Sequence, residues 1–144
     1  MNLTRNPVLE SLLRWLSSTE MFARPARQLP GKWRLYEFYS EPEGELQNMK
    51  EDEIKKSGYM WEIELESMGQ FYQKMKLPVF ILSQATHGTW NTSRNFLCLS
   101  SDTEPAVTVE FQYAIENGNL KILKKDMDGR ILFFGFFRRL PVEE

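Results

Sequence analysis

The sequence predicts a mainly β domain, an antiparallel up-and-down barrel of about eight strands preceded by one amphipathic α-helix. Three observations carry this. From Lys32 onward the apolar period changes from 3.6 to 2. Alternation is regular over Tyr59, Trp61, Ile63, Leu65 and again over Val107, Val109, Phe111, Tyr113, Ile115. The pairs Asn117-Gly118 and Asp128-Gly129 are hairpin marks, since both tolerate the positive φ of a tight turn.

The helix comes first. Asn6 reads as its N-cap and Pro7 as its first position, where a missing N–H costs nothing. Leu9, Leu12, Leu13 and Leu16, with Val8 and Trp15, lay one apolar stripe along residues 7–18. Glu10 and Arg14 interrupt that stripe, which argues against a secretory leader and for a cytoplasmic location. Residues 19–30, with Pro25 and Pro30, read as an extended connector.

Strands are then expected over about 32–40, 59–66, 70–76, 79–84, 86–92, 96–101, 106–116 and 119–127, with 130–139 as a possible ninth. Pro78 cannot donate to a ladder and could mark an interruption within one strand. Segment 43–58 lacks period 2 and is highly charged, with Leu46, Met49 and Ile54 as the weak stripe of a short helix. It reads either as a lid over one barrel mouth or as a plain surface loop. The whole chain, residues 1–144, is read as a single domain.

Composition narrows the functional classes. The chain has 144 residues, 18 Lys+Arg against 20 Asp+Glu and a net charge of −2, without the basic excess that phosphate backbones require. No nucleic-acid partner is expected. The single cysteine, Cys98, excludes an intrachain disulfide framework. The longest apolar runs, 78–82 and 131–137, fall far short of the ~20 residues of a membrane-spanning helix. Charge is lopsided: residues 37–66 carry ten acids and three lysines, while residues 1–34 carry six bases and two acids. The acidic half reads either as a face for a basic target or as a solvated outer strand face, Glu62, Glu64 and Glu66, plus a polar loop.

Gly31-Lys32-Trp33, opening the first strand, resembles the Gly-x-Trp signature of the lipocalin and calycin barrels. Gly88-Thr89-Trp90 followed by Phe96-Leu97-Cys98-Leu99 is similar to a hairpin of small bacterial lipocalin-like domains. The resemblance covers about residues 29–140. It implies that Arg138 or Arg139 packs across Trp33 and closes one barrel end, a structural role suited to a guanidinium on an indole face. The chain departs from secreted lipocalins in lacking a disulfide pair and a Thr-Asp-Tyr-like motif.

An eight-stranded barrel is either filled by side chains or just wide enough for one small ligand. The expected interior residues are Trp61, Ile63, Phe71, Trp90, Phe111, Tyr113, Phe134 and Phe136, which would line a cavity or fill it. The leading expectation is a non-enzymatic barrel binding a small apolar or amphipathic ligand in its interior, without a cofactor. The alternative is a filled barrel serving as a protein-interaction module. A weaker third reading is an isomerase or decarboxylase drawing on Tyr36, Tyr113, Arg34 and Glu37. The lone histidine, His87, builds neither a zinc site nor a Ser-His-Asp mechanism.

The run Ile131-Leu132-Phe133-Phe134-Gly135-Phe136-Phe137 is apolar on both alternating faces, so its outer face needs a cover, either the leucine stripe of 7–18 or a second copy of the chain. Deleting residues 1–20 is expected to expose that face and drive aggregation. A truncated chain that stays soluble and equally stable in urea denaturation excludes the helix as the cover.

Overall fold

A computed structural model describes residues 26–78, 85–94, 96–103 and 105–142. The helix expected over 7–18, the connector up to residue 25 and the strand expected over 79–84 lie outside the described residues.

A short 3-10 helix, Ala26–Gln28, leads into β1 (Gly31–Ser40), β2 (Gln47–Met49), α1 (Glu51–Ser57), β3 (Met60–Leu65), β4 (Gln70–Lys76), β5 (His87–Ser93), β6 (Phe96–Ser101), β7 (Thr108–Glu116), β8 (Asn119–Lys125) and β9 (Ile131–Arg139). From β3 onward each strand pairs antiparallel with the next, and β9 returns to pair with β1. Eight strands thus close a barrel in up-and-down order, consistent with a lipocalin-like fold, and closure removes the edges an open sheet would expose. The possible ninth sequence strand, 130–139, is the closing one. β2, not expected from sequence, is the additional strand: it pairs with residues 38–40 of β1, while β3 pairs with residues 31–34.

Local chemistry explains the corners. Asn117 and Gly118 both adopt positive φ, 54° and 79°, the pair required by the two-residue turn between β7 and β8. Asp126 accepts the backbone N–H of both Asp128 and Arg130 at the next turn. Helix α1 ends at Gly58 in the left-handed conformation, and Ile54, its one buried residue, reaches the interior cluster. The three apolar residues of 43–58 therefore diverge: Ile54 and Met49 join the interior, whereas Leu46 packs outside.

Register decides which side chains point inward. Trp33 lies opposite Arg139 and Leu35 opposite Phe137, and directly opposed residues share a face. Because Trp33 and Leu35 are buried in the core, the odd residues Phe133, Gly135 and Phe137 of β9 face inward. Phe134 and Phe136, expected in the interior, face outward instead. They join Tyr39, Ala114, Leu123 and Ile131 in a separate outer cluster, with Phe134 and Phe136 in edge-to-face contact at 4.7 Å. Two bulges enlarge this outer layer. Tyr36 is the extra residue between Leu35 and Glu37, and Leu132 is the extra residue opposite Lys124/Lys125. Each flips the alternation, placing Tyr39 and Ile131 outside.

One end of the barrel is closed by Trp33 and Arg139. The indole is fully buried and donates to Leu29 O at 2.9 Å. The Arg139 guanidinium lies 4.2 Å over its ring and donates to Pro30 O at 2.7 Å and Gln28 O at 2.6 Å. Gly31 makes room, since a Cβ there would overlap Arg139 Nη1. Arg138 takes no part, because its parity sends it to the other face, where it stacks 4.1 Å over Tyr36 and bonds Glu51 at 2.8 Å. Arg139→Gln is therefore expected to cost about 1–3 kcal/mol through its charged hydrogen bonds to two carbonyls. Arg138→Gln, an exposed ion pair, should cost under about 1 kcal/mol. Urea midpoints compare the two; equal losses would contradict the closure by Arg139 alone.

Candidate functional site

Of the expected interior residues, Trp61, Ile63, Phe71, Phe111 and Tyr113 are all at most 1% exposed and share one cluster. Trp61 stands at its centre, with the rings of Phe137, Phe133 and Phe111 at 5.1, 5.3 and 6.0 Å. These are the tilted and edge-on contacts of packed aromatics. The indole N–H donates to Gln73 Oε1 at 2.9 Å, and Gln73 Nε2 donates to Ala85 O at 2.7 Å, so the Trp61 indole and the Gln73 amide are both hydrogen-bonded. Trp90 is half-buried against the same cluster, with its indole N–H donating to Glu66 O at 2.7 Å. Gly88, two residues earlier, lets β5 approach β6: a Cβ there would overlap Ser100 O. The expected ligand-lining aromatics are thus packed against one another.

Tyr36, Tyr113, Arg34 and Glu37 do not converge. Tyr113 is inside, Arg34 pairs with Glu62 on the wall of β3, and Glu37 accepts from Asn48 at 3.0 Å and Tyr39 at 3.3 Å. Burial, partly countered by the Arg138 guanidinium, raises the Tyr36 phenol above its ordinary value. Burial, and then the Glu110 carboxylate, raises the Cys98 thiol and keeps it protonated. Among the described residues no three histidine, cysteine or acidic side chains gather as a metal site, and no helix is long and apolar enough to cross a membrane.

A hollow of about 420 Å³ lies elsewhere, over the wall formed by β1, β3, β4 and the start of β5. Lys32, Glu62, Glu64, Tyr72, Lys74 and His87 line it. Alternation and register build it in two cross-strand rows. Lys32 faces Glu64, which faces Tyr72, which faces His87; Arg34 faces Glu62, which faces Lys74. The acids of β3 are therefore interleaved with cations, and this part of the acidic half is a balanced face. Arg34 donates through Nε and Nη2 to the same Glu62 oxygen. His87 contacts Thr86 Oγ1 at 3.1 Å and Asp102 at 3.6 Å. The Tyr72 hydroxyl donates to Gln70 at 3.2 Å, and its side chain is among the exposed large ones, 44% accessible. No single-residue motif marks this site; the signal was the pairing of alternate residues across three strands.

Comparison with protein-family models, with curated proteins and with solved structures finds no match for this chain.

The Tyr39 hydroxyl is pushed up to about 12 by burial and by the adjacent Glu37 carboxylate. A group whose folded value exceeds its unfolded one, here near 10, contributes stability that is complete below the lower value and lost as pH rises through the higher. Wild type should therefore lose stability more steeply between pH 10 and about 12 than Tyr39→Phe. Denaturation midpoints across that window test this, and parallel curves would refute it.

Proposed function

We propose that this chain is a non-enzymatic, small-molecule binding module of lipocalin-like architecture that takes its ligand in the hollow on its outer wall. The observation that carries this reading is the filled interior. Trp61 is surrounded by three aromatic rings at 5.1–6.0 Å with its only polar atom satisfied, so a ligand there would have to displace packed side chains. The outer hollow needs no such displacement. Its volume of about 420 Å³ falls in the range of small-molecule sites. An exposed aromatic among charges of both signs suits an amphipathic ligand, the class expected from sequence. The burial of Tyr113 inside the barrel and the engagement of Arg34 by Glu62 and of Glu37 by Asn48 on its outside support binding rather than catalysis.

The test is a titration of 8-anilinonaphthalene-1-sulfonate into ¹⁵N-labelled protein followed by amide and indole shifts. Saturable movement of the Glu62, Tyr72 and Lys74 amides, with the Trp61 indole N–H unmoved, is the expected result. Saturable movement centred on Trp61, or none anywhere, would overturn the proposal. A small-molecule mass excess in the native mass spectrum of a chain whose Trp61 signal reports the bound species would restore the interior as the site.

A further inference from the structure

Within the outer hollow the charges are unevenly spent, and the remainder has a definite chemistry. Arg34 and Glu62 satisfy one another, and His87 is engaged by Thr86 and Asp102. Among the described residues, Lys32, Lys74 and Glu64 form no ion pair, although all three line the hollow. Glu64 stands directly opposite Tyr72, and Lys74 follows Tyr72 by two positions on the same face of β4. One carboxylate, one aromatic ring and one ammonium thus form a triangle on adjacent strands, with Lys32 on the far side of Glu64. A simple anion drawn to the lysines would meet Glu64. A simple cation drawn to Glu64 would meet both lysines.

Resting on the outer-wall reading, we propose that the hollow takes a small amphipathic zwitterion, one that carries an ammonium and a carboxylate on neighbouring atoms and an aromatic or apolar side group. Its ammonium pairs with Glu64, its carboxylate with Lys74 and, by the reach of a long stem, Lys32, while its apolar group lies on the Tyr72 ring. Tyr72 is prepared for this, since its hydroxyl is tied to Gln70 and the ring is held along β4. Opposed charges on a protein surface steer and orient a ligand more than they tighten it, so the discriminating observable is selectivity between charge types.

Three probes share one ring and differ only in charge: phenylalanine, 3-phenylpropanoate and phenethylamine. Titrated separately into ¹⁵N-labelled protein, phenylalanine should move the Tyr72 and Lys74 amides saturably, and each singly charged analogue should bind at least about fivefold more weakly, the scale of one exposed ion pair. Glu64→Gln should abolish the advantage of phenylalanine over 3-phenylpropanoate. Lys74→Gln should abolish its advantage over phenethylamine. Both substitutions are on the outer wall, and matched thermal unfolding confirms that the barrel is intact. Equal binding of the three probes, or variants that bind phenylalanine as wild type does, would overturn the proposal. So would no amide movement with phenylalanine while the anilinonaphthalene dye still maps to the hollow; the class of ligand then falls and the site stands. A dye that reaches Trp61 instead removes both.

Discussion

The placement of Arg139 over Trp33 is the constraint on which the rest of the barrel depends. The stack fixes the closing register of β9 on β1, and a register shift of one residue would exchange every inward and outward side chain of that strand. With Arg139 opposite Trp33, Phe133 and Phe137 must enter the core, where they meet Trp61. Phe134 and Phe136 must leave it. The two carbonyls that Arg139 satisfies belong to Gln28 and Pro30, so the same guanidinium also ties the segment before β1 to the last strand. Closure, core composition and chain entry are thus one arrangement rather than three.

Much of this was legible in the residues. Strict alternation over 59–66 and 107–116, the two hairpin dipeptides and the Gly-x-Trp opening located the strands within a few positions. Even the parity of β9 was implicit: if Arg139 meets Trp33, the odd residues face inward, which excludes Phe134 and Phe136 from the interior. Hydrophobicity alone could not show this, because the strand is apolar on both faces. The bulges at Tyr36 and Leu132 were not legible, since an extra residue changes phase without changing composition. Nor was β2, whose three residues carry no periodic signal and pair only because β3 leaves the second half of β1 open.

The candidate site was hidden for a different reason. Each of its side chains is an ordinary outward residue of its own strand, and its local sequence gives every one the reading of a solvated face. Lys32, Glu64, Tyr72 and His87 span fifty-six positions of chain and become neighbours only through three successive registers. A pattern of that kind follows from topology, not from spacing.

A barrel of this size faces a choice between enclosing a ligand and filling its own interior, and large aromatics push it toward the second. Two tryptophans, a tyrosine and five phenylalanines are almost wholly buried in the interior cluster here, and a core packed with such rings resists rearrangement. That rigidity has a consequence on the other side of each strand. Because alternate residues share one backbone, fixing the inward set fixes the spacing of the outward set, and charges on β1, β3 and β4 are held in rows without needing a loop to position them. Arg34 and Glu62 use that spacing to neutralise one another, whereas Glu64 is set between a lysine and an aromatic ring. The packed interior therefore does not remove the capacity to bind; it moves that capacity to the wall, where selectivity comes from the order of charges across the strands.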